Sequence, residues 1–274
     1  MIKKFAYKIR PFTSKRIRKL IYKVGLIMHE KAPYPNMEST LYDLKHRGFS
    51  PSATVDVGAY HGEWTNMFKK IFPSTKVLMV EAQKEKAPRL KEVCERFSGE
   101  VFCETALLGA NAGQEVEFVQ METGSSVFEE SSPYARKRLK KTLTTLDSLL
   151  EAHRDFQKID FLKLDVQGYE LEVLKGATAL LKHTDFVLME TSLIPINQGC
   201  PLILEVMAFM DSMGFRAMDF CSQVRRKDGS LWATDLLFVS KGSQYLPDAQ
   251  LDETNWEITK QARELLQQGA ERGA

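Results

Sequence analysis

Residues 53–63 read Ala-Thr-Val-Asp-Val-Gly-Ala-Tyr-His-Gly-Glu, a short β-branched run that ends in a glycine-rich turn. The turn has the spacing Asp56-x-Gly58-x-x-x-Gly62 and leads into a pattern typical of a helix. A strand, a tight glycine turn and a helix let a ligand lie against bare backbone near the start of the helix. This stretch therefore predicts an α/β fold with a ligand site beyond the ends of its strands.

The spacing of this turn also bears on the ligand. It differs from the dinucleotide pattern Gly-x-Gly-x-x-Gly, because Asp56 replaces the first glycine and three residues separate the other two. An acidic first position suits a small zwitterionic nucleoside with a cationic centre better than it suits a pyrophosphate. We therefore predict S-adenosylmethionine as the ligand, with Asp56, Gly58 and Gly62 at its site. The alternative is a turn whose aspartate only holds its own loop.

The second predicted strand ends in another acidic residue, Glu81. It follows Gly62 by 19 residues, close to the spacing of about 20 at which an acidic side chain accepts hydrogen bonds from ribose hydroxyls. Gln83 is a weaker candidate for a ribose or adenine contact. The alternative for Glu81 is an ordinary surface glutamate at a strand end.

A third strand end carries the candidate catalytic residues. Residues 159–170 read Ile-Asp-Phe-Leu-Lys-Leu-Asp-Val-Gln-Gly-Tyr-Glu, a buried strand that ends at Asp165. Asp165 could attract a sulfonium, orient an acceptor hydroxyl or take its proton. It could instead cap the following helix, whose first turn also favours the carboxylate of Glu170. Glu190 ends the next predicted strand and is a second candidate general base, or a carboxylate bonded to its own loop.

Strand and helix patterns alternate from residue 53 onward, which predicts a mostly parallel, seven-stranded, Rossmann-like sheet flanked by helices. The predicted strands are 53–57, 76–81, 100–106, 159–165, 185–190, 215–220 and 234–239, with an added strand or hairpin at 114–121. The predicted helices are 15–28, 36–48, 63–71, 84–97, 168–182, 200–213 and 252–268. We expect a basic helical extension at 1–50, a catalytic domain at 51–245 and a helical tail at 246–274.

The composition is that of a globular protein, with 43% hydrophobic and 27% charged residues. No apolar run approaches the ~18 residues of a membrane span, and no signal-peptide core follows the first lysines. The four cysteines lack the spacing of a zinc site or a disulfide framework. These features predict a cytoplasmic protein with reduced thiols and no bound metal.

Charge is unevenly distributed along the chain. Residues 1–31 carry about +9, and the remainder carries about −7. The apolar residues at 15–28 recur at helical intervals among lysine and arginine, which predicts a basic amphipathic helix. Such a helix could pack on the domain as a lid or associate with an anionic membrane surface. No nucleic-acid-binding module is recognisable, so we do not expect a nucleic-acid partner.

Four segments then carry a resemblance to a known family. They read VDVGAYHGEWT, LMVEA, TLTTLDSL and FLKLDVQGYELEVLKGA, in that order along the chain. Together they resemble the FkbM-type methyltransferases, which depend on S-adenosylmethionine and mostly methylate oxygen. The likeness covers roughly residues 38–240. The chain departs from the family pattern in two places: Gln167 stands where glutamate is common, and Tyr60-His61 replaces a small residue and asparagine.

The resemblance implies a role for specific side chains. It implies cofactor contact at Asp56, Gly58, Gly62 and Glu81, and cofactor or acceptor work at Asp165. It also places Ser126, in the segment after the third strand, at the border of the cofactor site.

The predicted function is therefore S-adenosylmethionine-dependent methyl transfer to a hydroxyl group of a sugar, glycan or secondary metabolite. Other readings are a nucleotide-dependent oxidoreductase and a non-catalytic binding module on the same fold. Within the methyltransferase class, an RNA methyltransferase is the rival, supported only by the basic segment. The identity of the acceptor and the oligomeric state are left open.

Overall fold

The computed structural model describes residues 36–122, 124–129 and 135–248. The helices predicted at 15–28 and 252–268 lie outside these residues, so the lid and membrane roles of residues 1–31 remain predictions. One compact unit extends to Ser243, and residues 244–248 belong to a second unit.

Eight strands form the central sheet, and three further strands form a second sheet. The strands are β1 (Ala53–Val57), β2 (Lys76–Glu81), β3 (Val101–Thr105), β4 (Leu107–Leu108), β5 (Glu115–Gln120), β6 (Lys137–Thr144), β7 (Phe161–Leu164), β8 (Phe186–Ser192), β9 (Phe215–Phe220), β10 (Val224–Arg225) and β11 (Leu231–Ser240). The α-helices are α1 (Met37–His46), α2 (Glu63–Ile71), α3 (Ala87–Arg96), α4 (Leu146–Glu151), α5 (Glu170–Lys175), α6 (Thr178–Leu181) and α7 (Ile203–Ser212). None of the helices in the described ranges has the length and apolar character that crossing a bilayer requires.

The sheet is mostly parallel. The strands β3, β2, β1, β7 and β8 run parallel in that spatial order. The antiparallel β11 follows β8 and pairs also with β9 and β10. This arrangement confirms the predicted Rossmann-like sheet, and each of the seven predicted strands has its counterpart in it.

The central strands are apolar because helices cover both faces of the sheet. All five residues of β1 are buried, and so are the four residues of β7. On α2, Phe68 and Ile71 are fully buried, and the ring of Phe68 lies 5.6 Å from that of Phe161 on β7. This packing holds the glycine turn between β1 and α2 against the sheet.

Two elements differ from the sequence prediction. The helix expected at 168–182 is two short helices, α5 and α6, because the chain turns at Gly176. A Cβ atom on Gly176 would lie 2.2 Å from the carbonyl oxygen of Gly109, so the two backbones meet here. The strand expected at 114–121 is β5, but its antiparallel partner β6 was not predicted. Four of the eight residues of β6 are lysine or arginine, and they interrupt the alternation of apolar and polar residues by which a half-buried strand is recognised.

Candidate cofactor and acceptor site

The order of the strands reverses between β1 and β7. From β1 the chain passes to β2 and β3 on one side, and later to β7 and β8 on the other. In sheets of this kind, ligands bind beyond the carboxyl ends of the strands at the point of reversal. Gly58 and Asp165 follow the two strands that flank this point, so the sequence motifs meet at the expected edge.

The two motifs are in direct backbone contact. Gly58 has a φ of +74°, a value that L side chains rarely adopt. A Cβ atom at this position would lie 1.9 Å from the carbonyl oxygen of Asp165. Only glycine fits here, because both the backbone conformation and the neighbouring chain exclude a side chain.

Glu81 holds the loop that follows β1. It is buried at the end of β2, and its Oε2 accepts a hydrogen bond of 2.9 Å from the Tyr60 backbone N–H. Its Oε1 accepts a hydrogen bond of 2.8 Å from the Gln83 backbone N–H. A carboxylate has about four lone-pair positions, so Glu81 keeps acceptor capacity for a ligand.

A cavity of about 250 Å³ opens at this edge. Its wall includes the predicted residues Gly58, Glu81, Gln83, Ser126 and Asp165. The carboxylates suit the hydroxyl donors of a ribose and the cationic amino and sulfonium groups of S-adenosylmethionine, and the bare backbone at Gly58 leaves room for close approach. The residues present therefore fit the predicted cofactor.

Asp56 and Gly62 are not among the residues that line this cavity. Asp56 is fully buried, and its Oδ2 accepts a hydrogen bond of 2.7 Å from the hydroxyl of Thr65 on α2. A Cβ atom on Gly62 would meet Val93 of α3 and Met79 of β2. Both residues lie behind the loop and not in the cavity wall, and their contact with the cofactor remains a prediction.

A buried lysine joins the two central strands. Lys163 of β7 lies opposite Asp56 in the strand register, and its Nζ is 3.0 Å from Asp56 Oδ1 and 3.6 Å from Asp165 Oδ2. Burial alone would lower the pKa of Lys163, but the two carboxylates outweigh burial and raise it. Lys163 therefore stays charged and fixes the carboxylate of Asp165 at the edge of the cavity.

A second cavity, of about 530 Å³, lies on the β8 side of the switch point. Gln167 lines both cavities. Its side-chain Nε2 donates hydrogen bonds of 3.0 Å to Asp165 Oδ1 and 2.8 Å to Glu190 Oε2. The predicted catalytic residues are therefore brought together by one amide, with Asp165 in the wall of the smaller cavity and Glu190 in that of the larger.

Other polar groups hold Gln167 in an unusual backbone conformation. Its φ is +56°, in the left-handed region. Its carbonyl oxygen accepts hydrogen bonds of 2.9 Å from the hydroxyl of Ser126 and 2.7 Å from the side-chain amide of Asn197. Two other segments of the chain fix this one residue, which is consistent with a functional role for its side chain.

Glu190 lies in an acidic environment. Burial raises the pKa of its carboxyl group to about 8, and the nearby carboxylates of Asp165, Glu170 and Asp235 add to the increase. Burial likewise raises the pKa of Glu170 to about 7, although backbone N–H groups of its own loop stabilise the charged form. A carboxyl group with a pKa near neutrality is suited to proton transfer.

The sequence did not single out a polar group beside the smaller cavity, which Tyr60 lines. The hydroxyl of Tyr60 donates a hydrogen bond of 2.6 Å to Glu122, and Lys86 Nζ lies 2.7 Å from the same carboxylate. Lys86 also lies 4.2 Å from the centre of the Tyr60 ring. Residues 60, 86 and 122 are far apart in the chain, so only the fold shows that they form one group.

We expect Glu81→Gln to weaken cofactor binding. The amide oxygen can replace only one of the two acceptors, and its NH₂ group would face a backbone N–H. The Kd of S-adenosylhomocysteine should rise by ~10- to 100-fold, because hydrogen bonds to charged groups contribute about 1.5–3 kcal/mol. Titration calorimetry measures this change. The control is Glu85→Gln, at an exposed residue four positions away, and equal Kd values for the two variants would contradict the role of Glu81.

The fold and site together define a methyltransferase with a nucleoside cofactor at a glycine turn. The family model for the methyltransferase FkbM domain matches residues 56–217. The chain therefore belongs to the FkbM methyltransferase family, and it is an S-adenosylmethionine-dependent methyltransferase, as the sequence predicted.

A search of curated proteins found no similar sequence. Similar solved structures include magnesium protoporphyrin IX methyltransferase from Synechocystis with bound SAM, at 11% identity over 83% of this chain and 85% of that chain, with a TM-score of 0.45. Another is 1,6-didemethyltoxoflavin-N1-methyltransferase from Burkholderia thailandensis, at 12% identity over 84% and 92% of the two chains, with a TM-score of 0.43. A third is the fibrillarin pre-rRNA processing protein of Methanococcus jannaschii, at 14% identity over 70% and 67%, with a TM-score of 0.45.

Proposed function

We propose that this protein methylates a hydroxyl group of a small molecule, a secondary metabolite or a glycan. One observation carries the proposal: Glu190, whose pKa is raised to about 8, lines the larger cavity and is bonded through Gln167 to Asp165 at the cofactor cavity. A hydroxyl acceptor must lose its proton during methylation, and Glu190 is placed to receive it.

Each residue has a distinct part in this mechanism. S-adenosylmethionine bound there would supply an electrophilic methyl group on a cationic sulfur, with a neutral thioether as the leaving group. Glu81 and the loop at Gly58 hold the nucleoside, and Asp165 presents a negative charge at the edge of that cavity. Glu190 accepts the hydroxyl proton, and Gln167 holds the two carboxylates at a fixed separation, so the reaction is accelerated mainly by positioning.

The test is a labelled-methyl assay with a panel of hydroxylated and amine-bearing small molecules. NMR of the product distinguishes a methyl group on oxygen from one on nitrogen or carbon. We expect the label on oxygen, and label on nitrogen alone would overturn the proposal. Calorimetry with S-adenosylhomocysteine and with NAD completes the test, since binding of NAD in place of S-adenosylhomocysteine would favour an oxidoreductase.

A further inference from the structure

The charged residues that line the larger cavity are all acidic. They are Glu122, Glu170 and Glu190, and no lysine, arginine or histidine is among the described residues of this wall. A phosphate or carboxylate that entered the cavity would lose its hydration and meet no opposite charge among the wall residues that the structure describes. Burying an unpaired charge is costly, so the cavity disfavours an anionic acceptor.

Cations on neighbouring segments are engaged by carboxylates of their own. Lys86 pairs with Glu122 at 2.7 Å, and Lys163 pairs with Asp56 at 3.0 Å inside the central sheet. Arg138 Nη2 of β6 donates hydrogen bonds to both carboxylate oxygens of Glu129, at 2.6 and 2.7 Å. To bind an anion, one of these cations would have to give up its existing partner.

The same wall offers hydrogen-bond acceptors. Asn197 is buried, with 7% of its surface exposed, and its Nδ2 donates to the Gln167 carbonyl, whereas its Oδ1 has no hydrogen-bond partner. Glu190 adds carboxylate oxygens, of which Oε2 accepts from Gln167. Asn197 Oδ1 is itself covered by protein, so the carboxylate of Glu190 is the acceptor in this group that a hydroxyl or ammonium group of a ligand can reach.

The remainder of the wall is largely apolar. Trp232, Leu171, Ile196, Pro201 and Val206 line it. The volume of about 530 Å³ falls in the range of small-molecule sites. An aromatic or aliphatic body can therefore pack on these side chains while its polar group reaches the acceptors.

We propose that the larger cavity binds an acceptor with an apolar body and a hydroxyl group, uncharged or positively charged, and that it rejects acceptors carrying phosphate or carboxylate. This inference rests on the proposed function, because it assigns the larger cavity to the acceptor. The hydroxyl group lies toward Glu190 and Gln167, beside the cofactor cavity, and the apolar body lies toward Trp232.

Three matched probes test this selectivity without the cofactor: benzyl alcohol, benzylamine and benzoate. The chain has three tryptophans, so protein labelled with 5-fluorotryptophan gives three fluorine NMR signals, and Trp232→Phe identifies the signal from the cavity. The buried Trp64 serves as the internal control. The titrations are run at about pH 8.5, where Glu190, with its pKa of about 8, is largely ionised.

We expect benzyl alcohol and benzylamine to shift the Trp232 signal with Kd values at least ~10-fold lower than that of benzoate, because benzoate brings an unpaired charge into an acidic cavity. In Glu190→Gln, the ratio of the benzoate and benzylamine Kd values should fall by at least ~5-fold, while benzyl alcohol still binds. Equal or tighter binding of benzoate, no shift with any probe, or an unchanged ratio in Glu190→Gln would each overturn the inference.

Calorimetry with S-adenosylhomocysteine separates this inference from the proposed function. A protein that binds S-adenosylhomocysteine but does not discriminate between the probes retains the methyltransferase function and loses only the assigned acceptor class. A protein that discriminates between the probes but does not bind S-adenosylhomocysteine loses the proposed function and keeps the selective cavity.

Discussion

Replacing Gly58 with alanine should destabilise the protein severely and abolish cofactor binding. The new Cβ would lie 1.9 Å from the carbonyl oxygen of Asp165, a backbone atom that cannot rotate away. The φ of +74° adds a conformational cost of about 1–2 kcal/mol for any L side chain. We expect a loss of more than ~3 kcal/mol in the free energy of unfolding, because strain and overpacking combine at one site. Urea unfolding measures this loss.

The matched control is Gly99→Ala. Gly99 has a similar φ of +80°, but a Cβ atom there would meet no atom within 4 Å. This variant should pay only the conformational cost of about 1–2 kcal/mol and bind S-adenosylhomocysteine normally. If the two variants lost the same stability, the close approach of the β1 and β7 loops would not constrain position 58.

The second large effect is expected for Glu190→Gln. The amide cannot accept a proton from the acceptor, so kcat should fall by ~10²- to 10⁴-fold. The Kd of S-adenosylhomocysteine should change little, because Glu190 lines the larger cavity and not the smaller one, to which we assign the cofactor. In the wild type, kcat should rise with pH through about 8, where Glu190 loses its proton. Glu172→Gln, the same change at an ion-paired residue of α5, is the control.

The same variant has a readout that needs no acceptor. The pKa of Glu190 is raised on folding, from 4.5 to about 8, so the folded state holds this proton more tightly. Its contribution to wild-type stability is fully present below about pH 4.5 and is lost as the pH rises to about 8. A glutamine at position 190 cannot ionise, so the variant does not lose stability in this way. The free energy of unfolding of Glu190→Gln minus that of the wild type should therefore rise by roughly 1–3 kcal/mol between about pH 6 and pH 9.

Thermal unfolding at a series of pH values measures this difference. About 1 kcal/mol corresponds to a shift of roughly 2–4 °C in Tm for a domain of this size. A Tm difference between the variant and the wild type that does not change with pH would show that Glu190 ionises normally in the folded protein.

The fold could be predicted from the sequence because strands that are buried on both faces consist mostly of apolar residues. Residues 53–57 and 161–164 are buried on both faces, and they read as short, largely apolar runs with one charged residue each, bounded by turn signals. The candidate residues at strand ends, Gly58, Glu81 and Asp165, could be predicted for the same reason, since the carboxyl ends of parallel strands meet at one edge.

Other parts of the site could not be read in this way. Asp56 lies inside a strand and not at its end, so its carboxylate faces Thr65 and Lys163. The sequence did contain one indication of this pair. Each of the two buried strands carries one charged residue, and buried charges require partners. Asn197 and Trp232 come from separate segments that only the tertiary structure brings into one wall.

The buried pair formed by Asp56 and Lys163 has a consequence for how this sequence can change over evolution. Each residue neutralises the other inside the sheet, and loss of one partner would leave an unpaired buried charge, at a cost of about 3–5 kcal/mol. Neutral residues at both positions would avoid that cost. A sequence that changes one position at a time, however, must first pass through a variant with one unpaired buried charge. We therefore expect the two positions to change together, although they lie 107 positions apart in the chain.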